Sequence, residues 1–456
     1  MKKFRKVFCL GIGGIGISSL ARYYHAMGYE VAGYDKTKTK LTDTLQAEGI
    51  NIHFEDDEKN IPETFKNHVD TIIIYTPAIP KNSEELNFFR NEQFKIYKRA
   101  EILGLITRDK NSIAVAGTHA KTTVSSMIAH ICTKQKIDCT AFLGGISKSN
   151  NSNLMIGKDN CYVLEADEFD RSFLQLYPEI AVITSMDPDH LDIYENKLNL
   201  QKAFFKFASQ VKEGGKLLIN FKIKQEFEKH TNAKFYTYSI DNENADFWAK
   251  NIRIKNSVYV FDFVSQNIEI KDFELKMPGI INVENAIAAL SAVVLFDANT
   301  SNLNTSLKDF EGINRRFDYQ IKEENLVFID DYAHHPQELI ETITSVKKLF
   351  PKKTISGIFQ PHLFSRTKDF YKEFAESLSL LDELFLLDIY PAREEAIENV
   401  SSKLIFDEVK IENKHLCSKN DIIEIIKKNK FELLLTLGAG DIDKLVEPIK
   451  NVLLKK

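Results

Sequence analysis

The chain has 456 residues, 43% hydrophobic and 27% charged, with a formal net charge of −5. That balance supplies cores for two or three domains and lacks the basic excess of a nucleic-acid-binding protein, so no nucleic-acid partner is expected. Five cysteines without a CxxC pair read as free thiols of a reducing cytosol rather than as staples or zinc ligands.

The N-terminus joins a basic stretch, MKKFRK, to an apolar one, VFCLGIGGIGISSLA. Four glycines and a serine pair make the second a poor signal-peptide helix. No other stretch approaches the roughly 18–20 apolar residues of a membrane span. A soluble, cytoplasmic protein without a membrane partner is expected.

Short apolar runs, many rich in β-branched residues, then recur at 7–10, 31–34, 71–75, 113–116, 162–164, 181–184 and 217–219, each followed by a helix-length segment. The series resumes at 327–329, 354–359, 384–387 and 431–437. Continuous apolar strands alternating with helices predict parallel sheets covered on both faces, an α/β fold. Residues 234–275 are strand-like without helices, as expected of antiparallel hairpins inserted into an α/β domain. Polar stretches at 107–112 and 299–305 divide the chain into three expected domains, 1–107, 108–308 and 309–456.

Gly11-Ile12-Gly13-Gly14-Ile15-Gly16 fits G-x-G-x-x-G between a strand and a helix, with Asp35 closing the next strand. Such glycines let the backbone approach a pyrophosphate, and the acidic residue can hold a ribose. A phosphate-bearing nucleotide is predicted, and the fingerprint by itself leaves an NAD-dependent oxidoreductase open. Gly117-Thr118-His119-Ala120-Lys121-Thr122-Thr123 is a second strand-to-helix phosphate loop. There a lysine can neutralise phosphates and the next hydroxyl can ligate magnesium. Two such loops do not suit a simple dehydrogenase.

Glu165-Ala-Asp167-Glu168 and Asp187-Pro-Asp189-His190 end the strands that follow. Carboxylates at strand ends suit a hard cation, here assigned to Glu168 and His190. In the last block, three successive strands end in Asp330-Asp331-Tyr332-Ala-His334-His335, Gln360-Pro-His362-Leu-Phe-Ser365-Arg366 and Tyr390-Pro-Ala-Arg393. Together they predict a functional cleft.

These segments, with RAEILG, PGIINVENAIAA, NRRFDY and LGAGDI, run collinearly in a chain that resembles the Mur ligases of peptidoglycan synthesis, nearest their alanine-adding branch. The resemblance implies a Rossmann-like N-terminal domain for a UDP-sugar and a central P-loop ATPase-like domain with an antiparallel insertion. A C-terminal Rossmann-like domain would bring the amino acid. It implies ATP and Mg²⁺ as cofactors, and ligation of L-alanine to the lactyl carboxylate of UDP-N-acetylmuramate through an acyl phosphate. The glycine loop with Asp35, Thr76, Asn82 and Arg99 would hold the UDP-sugar. Lys121 would hold ATP phosphates, Thr122 and Glu168 one magnesium, and His190 a second. Asn282 and Asn285 would contact adenine. Arg315, Tyr332, His335, His362, Arg366 and Arg393 would surround the acyl phosphate and amino acid. A recycling sister ligase, which adds a ready-made tripeptide, is the open alternative. Two departures stand out: Ala120 replaces the usual glycine, so that a Cβ opposes positive φ and predicts a repositioned loop, and Ile281 replaces the usual histidine.

Overall fold

Three sheets carry the expected strands in a computed structural model that describes residues 4–158, 161–189, 191–255, 258–296, 301–392 and 394–455. The first comprises β1 (Lys6–Leu10), β2 (Glu30–Tyr34), β3 (Asn51–His53), β4 (Thr71–Tyr75) and β5 (Lys95–Lys98). Its order is β3-β2-β1-β4-β5 and every pair is parallel. Helix α1 (Ile15–Ala26) follows the glycine loop, and α2 (Arg99–Thr107) follows β5.

The second sheet contains β6 (Ser112–Ala116), β7 (Cys139–Ser147), β8 (Ser152–Met155), β9 (Cys161–Glu165), β10 (Ile180–Ile183), β11 (Lys216–Asn220) and β12 (Lys234–Ser239). It continues through β13 (Phe247–Lys255), β14 (Val258–Ser265) and β15 (Glu269–Leu275). The order is β15-β14-β13-β12-β11-β10-β6-β9-β7-β8. The helix-free run is therefore an extension of this sheet, and its first member, β12, pairs parallel with both neighbours. Helix α3 (Lys121–Lys134) follows the second phosphate loop. Helix α4 (Ile280–Leu295) follows β15.

The third sheet holds β16 (Asp318–Lys322), β17 (Val327–Asp331), β18 (Ile355–Phe359), β19 (Glu383–Leu386), β20 (Lys414–Leu416) and β21 (Leu433–Leu437), in the order β16-β17-β21-β18-β19-β20. Only β16, at the edge, pairs antiparallel. Helices α5 (Pro336–Leu349) and α6 (Phe364–Leu378) follow β17 and β18.

The strands that escaped the sequence reading, β3, β5, β7, β8, β16 and β20, are short and polar or carry glycines, and most lie at or next to a sheet edge. Such strands need fewer apolar side chains. Compactness divides the chain into one unit of 1–252, 261–273 and 284–310 and another of 253–260, 274–283 and 311–456. In the first unit, one apolar core runs from Val7 and Ile74 of the first sheet to Ala116, Leu164 and Ile183 of the second. In the second, separate cores cover the two faces of the third sheet, one around Ile329 and Phe359 and one around Phe328 and Ile358. Strand alternation explains the split, since neighbouring residues point to opposite faces.

Candidate active site

The glycine loop leaves β1 with Gly11 at φ +82, and a Cβ there would meet Thr76 Cγ2 at 2.5 Å. The Gly13 amide donates to Asp35 Oδ2 at 2.8 Å. Gly14 is the N-cap of α1, which has no side-chain cap. A Cβ on Gly16 would sit 2.3 Å from Arg99 Nη1. The loop, Asp35, Thr76 and Arg99 are thus brought to one end of the first sheet, with backbone amides of an uncapped helix start for an anion. Ile15 begins α1 and lines a cavity with Gly16, Arg99, Gly144, Glu165 and Asp167. Asn82 lies exposed on the turn after β4, just before Ser83 caps the next helix.

The second loop leaves β6 through Gly117 at φ +140, where a Cβ would overlap Thr184 Oγ1 at 1.9 Å. Thr118 Oγ1 and the His119 amide both reach Ser185 Oγ at 2.9 Å. Thr184 Oγ1 donates to the His119 carbonyl at 2.5 Å. Ala120 adopts φ 66 and ψ −1 at the N-cap of α3. The loop places alanine in a left-handed turn, and alanine bears the strain. Thr122 and Thr123 are buried in the first turn of α3.

Lys121 Nζ donates to the Gly117 carbonyl at 2.7 Å and to Glu168 Oε1 at 2.8 Å. Glu168 is fully buried. Burial pushes its carboxyl up to about 7 against the lowering pull of Lys121. Burial also works against the Lys121 charge, but Glu168, Asp167 and Glu165 outweigh it and hold the ammonium's pKa above its usual value. Lys121 thus stays charged where phosphates would arrive. Tyr194, itself buried, donates from Oη to the Glu168 carbonyl at 2.6 Å. Next to Glu168, Asp170 and Arg171 take φ of 53 and 55. Lys98 holds Asp170 at 2.8 Å, and Arg99 holds Asp167 at 3.5 Å.

Glu165 ends β9 against Gly144, where a Cβ would meet its carboxylate at 2.2 Å. Among the described residues its Oε2 is buried without a hydrogen-bond partner. Glu165, Ser185 and Tyr194 were not assigned from the sequence. Ser185 had one usable signal, its place directly before the Met-Asp-Pro-Asp segment. His190, expected to serve a second cation, lies outside the described residues. Asn282 and Asn285 are buried on α4, and Asn282 Nδ2 donates to the Pro278 carbonyl at 2.6 Å.

In the third sheet, Asp330 and Asp331 end β17. Arg315, at φ 62, donates from Nε to Asp330 Oδ2 at 3.3 Å and from Nη2 to the Gly438 carbonyl at 2.6 Å. Asp331 accepts from the amides of Phe317 at 2.7 Å and Ala333 at 2.8 Å. The Arg315 and Arg316 guanidiniums lie 5.1 and 4.9 Å from the Tyr332 ring centre. His335 is the buried N-cap residue of α5 and packs on Phe370 of α6 at 5.2 Å. His362 stacks on Tyr390 at 5.8 Å, and Arg366 Nη1 lies 3.4 Å from His362 Nδ1. Tyr332, His362 and Arg366 are therefore gathered at the carboxyl ends of β17 and β18, where open parallel sheets bind ligands. Arg393 lies outside the described residues, but the adjacent Glu394 accepts from the Ser365 amide at 3.0 Å at the start of α6.

A phosphate loop with a buried lysine–glutamate pair, an uncapped glycine-rich helix start and a third sheet of clustered cations define a multidomain α/β enzyme acting on nucleotides. Three family models cover nearly the whole chain: the Mur ligase family catalytic domain at 6–111, the Mur ligase middle domain at 115–293 and the Mur ligase glutamate ligase domain at 315–440. The chain belongs to the Mur ligase family. It is 49% identical to the UDP-N-acetylmuramate–L-alanine ligase of Parabacteroides distasonis, covering 100% of this chain and 99% of that one. It is 46% identical to the Porphyromonas gingivalis ligase of the same name, over 98% of this chain and 99% of that one. The crystal structure of the UDP-N-acetylmuramate–alanine ligase of Thermotoga maritima superposes with a TM-score of 0.81 at 26% identity, covering 99% and 98% of the two chains. A murein peptide ligase from Psychrobacter arcticus shares the fold with a TM-score of 0.74 at 20% identity, over 98% of each chain.

Proposed function

We infer that this chain is an ATP-dependent ligase that joins L-alanine to the lactyl carboxylate of UDP-N-acetylmuramate, a step of peptidoglycan synthesis. The observation that carries this reading is the 49% identity, over the full length, to a ligase of that name. The first domain, 1–107, binds the UDP-sugar, the second, 108–308, binds ATP, and the third, 309–456, brings the amino acid. Four of the five thiols are buried, which suits a reducing cytoplasm. Among the described residues no helix is long and apolar enough to cross a membrane.

A carboxylate does not react with an amine in water unless it is activated. ATP transfers its γ-phosphoryl group to the sugar carboxylate, and the amine of alanine displaces phosphate from the acyl phosphate. Both reactants of the first step are anions, so fixed positive charge lowers the barrier. Lys121, kept charged by its carboxylate neighbours, supplies it. Incoming phosphate oxygens compete with Glu168 for the ammonium. Thr122, Glu168 and Glu165, whose Oε2 is unsatisfied among the described residues, offer oxygen donors of the hard kind that magnesium takes. When bound, that ion neutralises the migrating phosphoryl charge. His190 is the candidate for a second ion. Asn282 and Asn285 offer amides to the adenine edge. Around the third sheet Arg315 and Arg366 offer charge to phosphate or to the amino-acid carboxylate, while Tyr332, His335 and His362 shape the acceptor site; Arg393 is a further candidate for that charge.

The test is phosphate release from ATP with Mg²⁺ and UDP-N-acetylmuramate, comparing L-alanine, glycine, L-serine and L-Ala-D-Glu-diaminopimelate. Release dependent on L-alanine is expected. Release only with the tripeptide would move the protein to the recycling branch, and none with any acceptor would overturn the ligase reading.

A further inference from the structure

Asn153 lies on β8 with no exposed surface, an uncommon place for a side-chain amide. Among the described residues, its side-chain hydrogen bonds run to α1. Its Nδ2 donates to the Ile15 carbonyl at 2.5 Å and to Ser18 Oγ at 2.8 Å. Its Oδ1 accepts from Arg22 Nη1 at 2.5 Å. Arg22 also forks onto Glu48 at 2.7 and 2.8 Å. Apolar contact continues the seam, with Tyr23 of α1 against Phe142 of β7 at 5.3 Å between ring centres and Leu154 in the shared core.

The two sides of this seam carry different parts of the proposed reaction. Helix α1 starts at the glycine loop. The β7–β8 hairpin belongs to the second sheet, and β7 pairs with β9, the strand that ends at Glu165 just before Glu168. A buried amide satisfied in three directions is a stiff linker, because breaking any one bond strands a polar group away from water. It is also directional, which apolar contact between the same elements is not.

We propose that Asn153 is a positioning residue that fixes the glycine-loop helix relative to the phosphoryl-transfer site of the second sheet. This rests on the ligase reading above. A UDP-sugar held by its pyrophosphate at α1 must present its carboxylate at Lys121, so the separation of the two sites sets the reacting distance. An error near 1 Å in such a distance can cost about 10²-fold in rate. The turn of the glycine loop, Gly11 to Gly14, with Asp35 and Thr76, lies on the first sheet, and the bonds of the Asn153 side chain reach α1 only from Ile15 onward. The role therefore shows in turnover and not in nucleotide affinity.

The experiment uses the full chain and compares wild type with Asn153→Leu, which removes all three bonds, and Asn153→Asp, which keeps the Arg22 acceptor and loses both donors. Calorimetry with UDP alone and with ADP gives affinity and stoichiometry, and steady-state phosphate release gives kcat and KM. The expected result is UDP and ADP affinities within about twofold of wild type at full stoichiometry, with kcat down at least about tenfold for Asn153→Leu and by less for Asn153→Asp. If Asn153→Leu does not fold, Asn153→Asp carries the test. A kcat per binding site within twofold of wild type overturns the proposal, as does a loss of UDP affinity that accounts for the whole effect. A wild-type chain that releases no phosphate overturns the ligase reading instead.

Discussion

At the phosphate loop, charge is locked: Lys121 and Glu168 form a buried pair at 2.8 Å, fixed by the Gly117 carbonyl and by Tyr194 behind Glu168. At the ends of β17 and β18 the cations also lie against rings, with Arg315, itself paired to Asp330, and Arg316 over Tyr332, and Arg366 beside the stacked His362. The difference matches the tasks proposed for the two regions. Phosphoryl transfer needs charge at one fixed point, and preorganisation there avoids reorganisation during reaction. Holding a small amino acid needs a shaped surface whose planar groups recognise a carboxylate.

Lys121→Ala removes the fixed charge at the phosphate loop. Turnover is expected to fall more than about 10²-fold while the chain stays folded, because one positioned charge partner is lost. Near-normal kcat would remove Lys121 from the chemistry. On the other side, Arg366→Ala is expected to raise KM for L-alanine about tenfold, the scale of one charge-assisted hydrogen bond, and to leave KM for ATP unchanged. An equal rise in both would show that the third sheet does not separate amino-acid recognition from ATP binding.

Proton linkage sharpens the contrast. Burial pushes the Asp331 carboxyl up to about 6, against lowering by Arg316 and two backbone donors. The unfolded chain titrates the same group near ~3.9. A folded value above the unfolded one means that the folded state favours the protonated form. That contribution is complete below pH ~4 and is lost as pH rises through 6. Asp331→Asn removes the titration, so the loss of stability between pH 5 and 7 should shrink by about 1 kcal/mol in denaturant melts. An unchanged pH slope would mean that the carboxyl is ionised throughout.

The smallest expected effect concerns Ala120. Its left-handed conformation costs an L-residue about 1–2 kcal/mol, partly offset by the extra unfolded-state freedom of glycine. Ala120→Gly should therefore stabilise the chain by about 0.5 kcal/mol, read as a rise in Tm. A fall in Tm would show that the Cβ has packing that outweighs the strain.

Much of the site is legible in the sequence because it is local. Gly11 to Gly16 and Gly117 to Thr123 each form one strand, one turn and one helix start, so spacing alone brings their groups together. The clusters at 330–335, 360–366 and 390–393 are legible because each stands at the end of an apolar strand run. Asn153 is invisible by the same standard. It sits in the polar run Asn150-Asn151-Ser152-Asn153, which reads as a surface turn, and only the packing of β8 against α1 gives it partners 131–138 residues away in the chain. Glu165 and Glu168 illustrate the limit within one motif. Both are carboxylates at the same strand end, and the sequence does not say which one pairs with Lys121.

The sequence by itself determined the α/β class, the two phosphate loops and the strand ends at which ligands would bind, because these follow from short-range periodicity and from the backbone freedom of glycine. Tertiary structure alone decided that the first two sheets share one core, that Lys121 faces Glu168 across 47 residues, and that a buried asparagine on the second sheet bonds to the helix after the first glycine loop. Those outcomes depend on which faces meet when apolar surface is buried, and that is a property of the whole chain rather than of any segment.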